Sequence, residues 1–354
     1  MKMPGRFVFS TVAYLLLSFA SFSQDSSEII QTKSGEIKVE KLAALNEPWG
    51  MCFLPDGRLL ITEKPGNLRI YENGKLSEPI SGLPKIEYYG QGGLLDVTID
   101  PNFAQNNLIY FYYSEKADNQ PNLKSEPGDP RFGNFNDHTD VTLKGGAVAR
   151  ARLDENTLTD VKVIWRQFPK TVGRGHFGGR LVFAPDGKLF ITSGGRQRFE
   201  PAQSLSNNLG KVVRINSDGS IPVDNPFVKN KAARPDIWSY GHRNPLGAAI
   251  NPSTKQLWIH EMGPAHGDEL NIPAAGKNYG WPTVSNGNNY DGSNIPDHAT
   301  APRFAAPVFY WHPSISPSGF TFYTGSIFKD WKGNALIGSF NSEALVRLRS
   351  RIIK

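Results

Sequence analysis

One phrase recurs along this chain: a short apolar run, a turn built on proline or Asp-Gly, and a second apolar run. Copies fall at residues 50–62, 95–103, 180–192 and 247–259, with a degenerate copy spanning 319–323 and 334–338. Each reads as strand, turn, strand, and Asp56-Gly57 and Asp186-Gly187 are strong hairpin signals. Further hairpin turns are expected at Asn73-Gly74 and Asp218-Gly219. Pro55, Pro101, Pro185 and Pro252 are 46, 84 and 67 residues apart. The first interval is that of one four-stranded propeller blade, and the longer ones imply a blade carrying insertions. Residues 117–146, rich in Asp, Asn, Pro and Gly, read as such an insertion over one face. A β-sandwich with chance similarity among its hairpins is the competing reading. The propeller accounts better for repeats at blade spacing.

The ends of the chain carry separate signals. Lys2 and Arg6 precede a mostly apolar stretch from Val8 to Phe22, and Ser21-Phe-Ser23 offers a small-residue cleavage site. Residues 1–23 are therefore expected to be a cleavable signal peptide, and 24–354 a single propeller domain in the periplasm or outside the cell. The stretch is short for a membrane span, so no stable membrane insertion is expected. At the other end, Arg349-Ser-Arg-Ile-Ile-Lys354 follows the last readable strand, Ala344-Leu-Val-Arg-Leu348. A closed ring needs a final blade to cover its open edges. About one blade, on the order of 40–50 residues, is expected to be absent. A truncated chain explains this better than a ring of fewer blades.

Composition excludes several classes. The 35 Gly, 26 Pro and 11% aromatic residues suit many short strands and tight turns, and no long helical period is present. The net charge is +6, or +4 without Lys2 and Arg6 (37 basic against 33 acidic residues), and it is spread along the chain. Without a basic run interleaved with aromatics, nucleic acid is not an expected partner. Cys52, the single cysteine, lies in an apolar run and reads as an inert buried thiol.

His176 stands between glycines just before one copy of the repeat, and only this copy is preceded in that way. It is either a hydrogen-bonded loop histidine or a general base on a symmetric frame. Arg243 and Asn244, in His242-Arg-Asn-Pro245, read either as a turn with an exposed arginine or as a ligand contact. Gln91 sits between glycines, and Asp268-Glu269 is either a solvated loop pair or part of a cation site.

Six motifs, taken in order, form a specific set. They are Tyr89-Gly-Gln-Gly-Gly-Leu-Leu-Asp96, Gly145-Gly-Ala-Val-Ala-Arg-Ala-Arg152, Gly175-His-Phe-Gly-Gly-Arg180, Tyr240-Gly-His-Arg-Asn-Pro-Leu-Gly247, His260-Glu-Met-Gly-Pro264 with Gly267-Asp-Glu-Leu-Asn271, and Gly276-Lys-Asn-Tyr-Gly-Trp-Pro282. Together, over roughly residues 40 to 348, they resemble the soluble sugar dehydrogenases that use pyrroloquinoline quinone (PQQ), in particular the aldose sugar dehydrogenase branch. The resemblance implies an all-β, six-bladed β-propeller, here lacking part of its last blade, that oxidises aldoses to lactones. It implies His176 as the base, Arg243 against the quinone, and Gln91 and Asn244 as further cofactor contacts. Gly263 and Pro264 would offer backbone carbonyls to a Ca²⁺ touching PQQ, and Asp268, Glu269 and Tyr279 would form a second Ca²⁺ site. The partners implied are an aldose and an electron acceptor that the sequence does not identify. Three departures stand out. Gly175 precedes the histidine where relatives often carry Asp. Asn341-Ser342-Glu343 stands where relatives place a lysine for the PQQ carboxylates. The arginines that relatives carry for those carboxylates in the last blade are missing here. A Ca²⁺-dependent propeller lactonase or esterase, and a non-enzymatic propeller that binds carbohydrate or protein, are the alternative functions, since fold alone separates none of these.

Overall fold

The computed structural model describes residues 27–32, 35–120 and 140–349. The expected signal peptide, most of the expected insertion and the last five residues lie outside them. Residues 1–44 form one unit and 45–354 another. In the first, β1 (Ser27–Thr32) and β2 (Gly35–Glu40) pair as an antiparallel hairpin with Ser27 opposite Glu40.

The second unit is built from five small antiparallel sheets, each formed by strands consecutive in sequence. The first holds β3 (Pro48–Phe53), β4 (Leu59–Glu63), β5 (Asn67–Glu72) and β6 (Lys75–Leu76). The second holds β7 (Leu94–Ile99), β8 (Leu108–Lys116), β9 (Lys144–Asp154) and β10 (Thr157–Arg166). The third holds β11 (Gly178–Phe183), β12 (Leu189–Ser193), β13 (Lys211–Ile215) and β14 (Ile237–Tyr240). The fourth holds β15 (Pro245–Ile250), β16 (Leu257–Glu261), β17 (Asp268–Asn271) and β18 (Phe309–Trp311). The fifth holds β19 (Pro317–Phe322), β20 (Ala335–Ser339) and β21 (Ala344–Leu348). Every copy of the sequence phrase is the first hairpin of a sheet. The first strands lie side by side in succession, β3 on β7, β7 on β11, β11 on β15 and β15 on β19. This is a propeller-like arrangement, and the described residues show five sheets where the resemblance implied six.

Two local expectations need correction. Lys144, Gly145 and Gly146 belong to β9 and not to an insertion loop, because their backbone pairs with β8 through Lys116, Glu115 and Ser114. Asp218-Gly219 does form a turn, closed by Asn216 and Ser220, but the next strand starts only at Ile237. The chain first detours to answer Arg214, whose guanidinium bonds Asp224 and Asn225.

Packing follows from strand periodicity. On β8, Phe111 and Tyr113 pack with Leu60 and Leu68 of the first sheet, while Tyr110 and Tyr112 pack with Leu181 and Ile191 of the third. Alternate residues thus bury both faces of one sheet. The next two interfaces repeat the pattern. Phe190 and Val212 meet Ala248 and Ile259, and Trp258 and Leu270 meet Phe322 and Ile337. The outward faces of the first and fifth sheets stay open, with Met51 and Phe53 at 68% and 70% exposure and Phe340 and Leu345 at 66% and 57%.

A polar latch recurs at the successive interfaces. The second strand of one sheet sends a side chain to a carbonyl at the first strand of the next. Thr62 reaches Leu95, Tyr112 reaches Phe177 at 2.9 Å, Thr192 reaches Pro245 at 3.0 Å, and His260 reaches Gly319 at 3.1 Å. Arg180 binds the first strands together. It pairs with Asp96 at 3.1 Å, donates to the Leu246 carbonyl at 2.7 Å and lies 4.0 Å from the centre of the Trp49 ring. Cys52 is partly buried, and burial pushes its thiol up to about 12, so it stays protonated and inert.

Candidate active site

Because the first strands are neighbours and share a direction, the residues leading into them converge at one end of the ring. Gln91 precedes β7, His176 precedes β11, and Arg243 and Asn244 precede β15. The turns after the antiparallel second strands reach the same end, bringing residues 194–199 and 262–264. The long connection from β17 to β18 adds Trp281 and Asn289 to Asp291. Between them lies a cavity of about 480 Å³ lined by His176, Gln197, Arg198, Phe199, Arg243, Pro264, Trp281, Asn289, Tyr290 and Asp291. That volume lies within the roughly 300–1,000 Å³ usual for small-molecule sites.

The cavity wall is strained. His176, Arg196 and Gln197 have φ of 52°, 53° and 59°, a left-handed conformation that side chains with a Cβ seldom adopt. Such outliers persist where the surroundings enforce them, commonly at functional sites. A Cβ on Gly175 would stand 2.5–2.8 Å from the side-chain amide of Gln197. A larger residue at 175 would displace the end of the Gln197 side chain.

His176 is 8% exposed and its backbone N–H donates to Gln91 Oε1 at 2.7 Å. Burial, together with the charges of Arg243 and Arg196, holds its pKa well below 6.5. The imidazole is neutral at neutral pH and can accept a proton. Arg243 is 5% exposed. Its backbone N–H donates to Glu261 Oε2 at 2.6 Å, Nη1 to the Met262 carbonyl at 3.0 Å and Nη2 to the Tyr290 hydroxyl at 3.1 Å. Its Nε is buried and has no hydrogen-bond partner among the described residues. Burial pulls its pKa down, with Tyr290 and Glu261 opposing, and a guanidinium remains a cation here. Asn244, 1% exposed, uses its side-chain oxygen to accept the Gly178 N–H at 3.1 Å. This bond ties the lead-in of β15 to the start of β11.

The four expected cation-site residues other than Asp268 come together at a second place. Gly263, Pro264, Glu269 and Tyr279 line a void of about 10 Å³ beside Glu261 and Gly241, roughly the room one water or ion centre needs. Glu261, which the sequence reading passed over, shares Asn271 Nδ2 with Glu269, at 3.1 and 3.2 Å. Burial raises the Glu269 carboxyl above its usual range and Glu261 adds to the shift. Burial, the largest single influence, would raise Glu261 too, but His242, 2.9 Å away, the Arg243 N–H and Asn271 together outweigh it and hold that carboxyl low. Asp268 is occupied differently. Its Oδ1 accepts the Gly263 N–H at 2.9 Å, and its Oδ2 accepts those of Ile315 and Ser316, both at 2.8 Å. The Tyr279 hydroxyl donates to the Ile272 carbonyl and accepts the Ala274 N–H. Among the described residues, no three His, Cys, Asp or Glu side chains cluster as a metal site. A cation here would draw on Glu261 and Glu269 with main-chain oxygens, a donor set suited to a hard ion. The signal for Glu261 was present in the motif His260-Glu-Met-Gly-Pro264, which directly follows a repeat copy.

A propeller-like arrangement of sheets with a buried neutral histidine and a buried arginine lining one cavity defines a small-molecule site. Residues 45–352 match the Glucose / Sorbosone dehydrogenase family, and the chain belongs to that family. It is 43% identical over 309 residues to the aldose sugar dehydrogenase YliI of Escherichia coli (strain K12), covering 85% of this chain and 77% of the relative. The apo-form structure of the soluble aldose sugar dehydrogenase of Escherichia coli superposes with a TM-score of 0.75 at 41% identity, over 86% of each chain. The PQQ-bound aldose sugar dehydrogenase of Streptomyces coelicolor gives 0.65 at 25% identity, over 92% of this chain and 82% of that one.

Proposed function

We propose that this protein oxidises the anomeric carbon of an aldose to a lactone, with PQQ as the electron acceptor in the cavity. One observation carries the reading: the neutral His176 imidazole and the Arg243 guanidinium line the same cavity. A guanidinium lining the cavity fits an anionic or quinone oxygen. Trp281 and Phe199 give the cavity flat apolar walls for an aromatic group. Arg198 adds a second cation to its lining, in a chain lacking the lysine after Phe340. PQQ, when bound, supplies the quinone that takes the hydride from C1 of the sugar. His176 takes the proton of the C1 hydroxyl on a ring nitrogen of its neutral imidazole. A base already kept neutral by its surroundings does this without first losing a proton. Arg243, fixed by Met262, Tyr290 and Glu261, holds positive charge where electron density arrives, and needs no rearrangement to do so. Gln91 offers its amide N–H₂ to the sugar or cofactor while its oxygen holds His176.

We further propose Ca²⁺ at the Glu261–Glu269 void and at the Gly263-Pro264 carbonyls, where the ion would polarise the quinone. The open faces marked by Met51, Phe53, Phe340 and Leu345 support a ring of six sheets. Residues 1–23 support export to the periplasm or beyond. Dye-linked aldose oxidation by the purified protein tests the activity. Turnover that requires both PQQ and Ca²⁺ is expected. Lactone hydrolysis without a quinone would replace this reading with the hydrolase.

A further inference from the structure

Behind the cavity wall stands a cation that the reaction itself does not use. Arg196 is 1% exposed and is the bulkiest fully buried side chain among the described residues. Its guanidinium donates through Nε to the Gly175 carbonyl at 3.0 Å, through Nη1 to that of Lys144 at 2.8 Å, and through Nη2 to that of Gly173 at 2.5 Å. Its backbone N–H donates to the His176 carbonyl at 3.0 Å. Its Cζ lies 3.9 Å from the centre of the Phe177 ring. One residue thus holds the carbonyls of 173, 175 and 176, while Gln91 holds the His176 N–H from the opposite side. Three different nitrogens of the planar fork each meet one carbonyl, a spread around the guanidinium that a single ammonium nitrogen would not span.

We propose that Arg196 is the positioning residue for His176: its fork fixes the left-handed lead-in 173–176 and so sets where the imidazole stands in the cavity. This rests on the reading of His176 as the base. The charge contributes as well, because Arg196 joins burial and Arg243 in disfavouring the imidazolium. The other ionisable groups around that imidazole are Arg198 from the same turn and Tyr290 and Asp291 from the β17–β18 connection. Arg174 precedes it on its own segment, and the buried pair Lys144–Asp140 lies behind Arg196.

The test uses Arg196→Lys and Arg196→Gln, with two readouts: the titration of the His176 ring resonance in cofactor-free protein, and kcat and KM after loading with PQQ and Ca²⁺. Arg196→Lys, which keeps a charge but not the fork, should lower kcat roughly 10- to 100-fold through misplacement of the base, with a much smaller change in KM. Arg196→Gln should also raise the His176 midpoint by on the order of one pH unit. Melting temperature is recorded beside both. Should neither variant fold, Phe177→Leu removes the ring under the guanidinium and leaves the fork's partners in place. It should lower kcat in the same sense. Wild-type kcat in Arg196→Lys or Phe177→Leu, or an unmoved His176 midpoint in Arg196→Gln, would make Arg196 a fold staple and overturn the proposal. Failure of wild-type protein to oxidise sugar would remove the base reading, yet the titration would still decide whether Arg196 governs His176.

Discussion

The side-chain oxygen of Gln91 accepts the backbone N–H of His176 at 2.7 Å, joining the lead-in of the second sheet to that of the third. The contact makes Gln91 a support for the base in addition to any ligand contact through its amide nitrogen. Gln91→Ala leaves a mostly buried N–H without its acceptor. We expect a loss of kcat of about tenfold, consistent with a slightly loosened base. Glutamate at this position keeps the acceptor and should retain more activity than alanine. Equal activity in wild type and Gln91→Ala would show that the bond is incidental.

His176→Ala should cut sugar oxidation by roughly 10²–10⁴ while PQQ affinity and melting temperature change little. The pH profile carries a second test. The base works only when neutral, and burial with Arg243 and Arg196 depresses its pKa. For the wild type, kcat/KM should therefore stay level as pH falls through 6.5 and drop only at more acid pH. A profile breaking at 6.5 would mean an exposed imidazole.

Stability should also respond to acid. His260 is buried, and burial, partly opposed by its bond to the Gly319 carbonyl, brings its pKa down to about 4. The unfolded chain binds that proton more readily than the folded one. The stability contributed is therefore present above the unfolded value near 6.5 and is lost as pH falls towards 4. The full loss is roughly 3 kcal/mol for this one group. His260→Gln should flatten the slope of stability against pH in that window relative to wild type. Identical slopes would contradict the assignment. Carboxyls raised by burial, such as Asp96 and Glu269, act in the opposite sense and are common to both proteins in this comparison.

Metal removal separates the two acids that adjoin in sequence. Chelation should lower the melting temperature of the wild type and Ca²⁺ should restore it by binding the folded form. Glu269→Gln should abolish that response. Asp268→Asn should destabilise the protein by a few kcal/mol whether or not Ca²⁺ is present, because its oxygens accept three backbone N–H groups. Its response to Ca²⁺ should persist. The reverse outcome would return the site to Asp268.

The sheets were legible because the hairpin phrase repeats with its turn residues, and strand periodicity survives long connections. Gln91, His176 and Arg243 were singled out through the motifs that carry the resemblance; the fold sets each just before a first strand, with His176 and Arg243 on one cavity. What escaped reading is chemically irregular. The interface latch uses Thr62, Tyr112, Thr192 and His260, four side chains of different type doing the same work, so no motif marks it. Arg196 and Glu261 were missed because their partners are backbone carbonyls and residues distant in sequence. Asp218-Gly219 misled because a tight turn does not require that its second arm pair as a strand.

In the proposed reaction one cavity joins a neutral His176 to the Arg243 guanidinium for quinone-linked sugar oxidation. Single-turnover absorbance of protein loaded with PQQ and Ca²⁺, mixed with an aldose, tests it most directly. Rapid bleaching of the oxidised quinone is predicted in the wild type. In His176→Ala the same amount of PQQ should be bound and bleached roughly 10²–10⁴ times more slowly. Equal rates in the two proteins, or a wild type that binds PQQ and is not reduced by any aldose, would contradict the account.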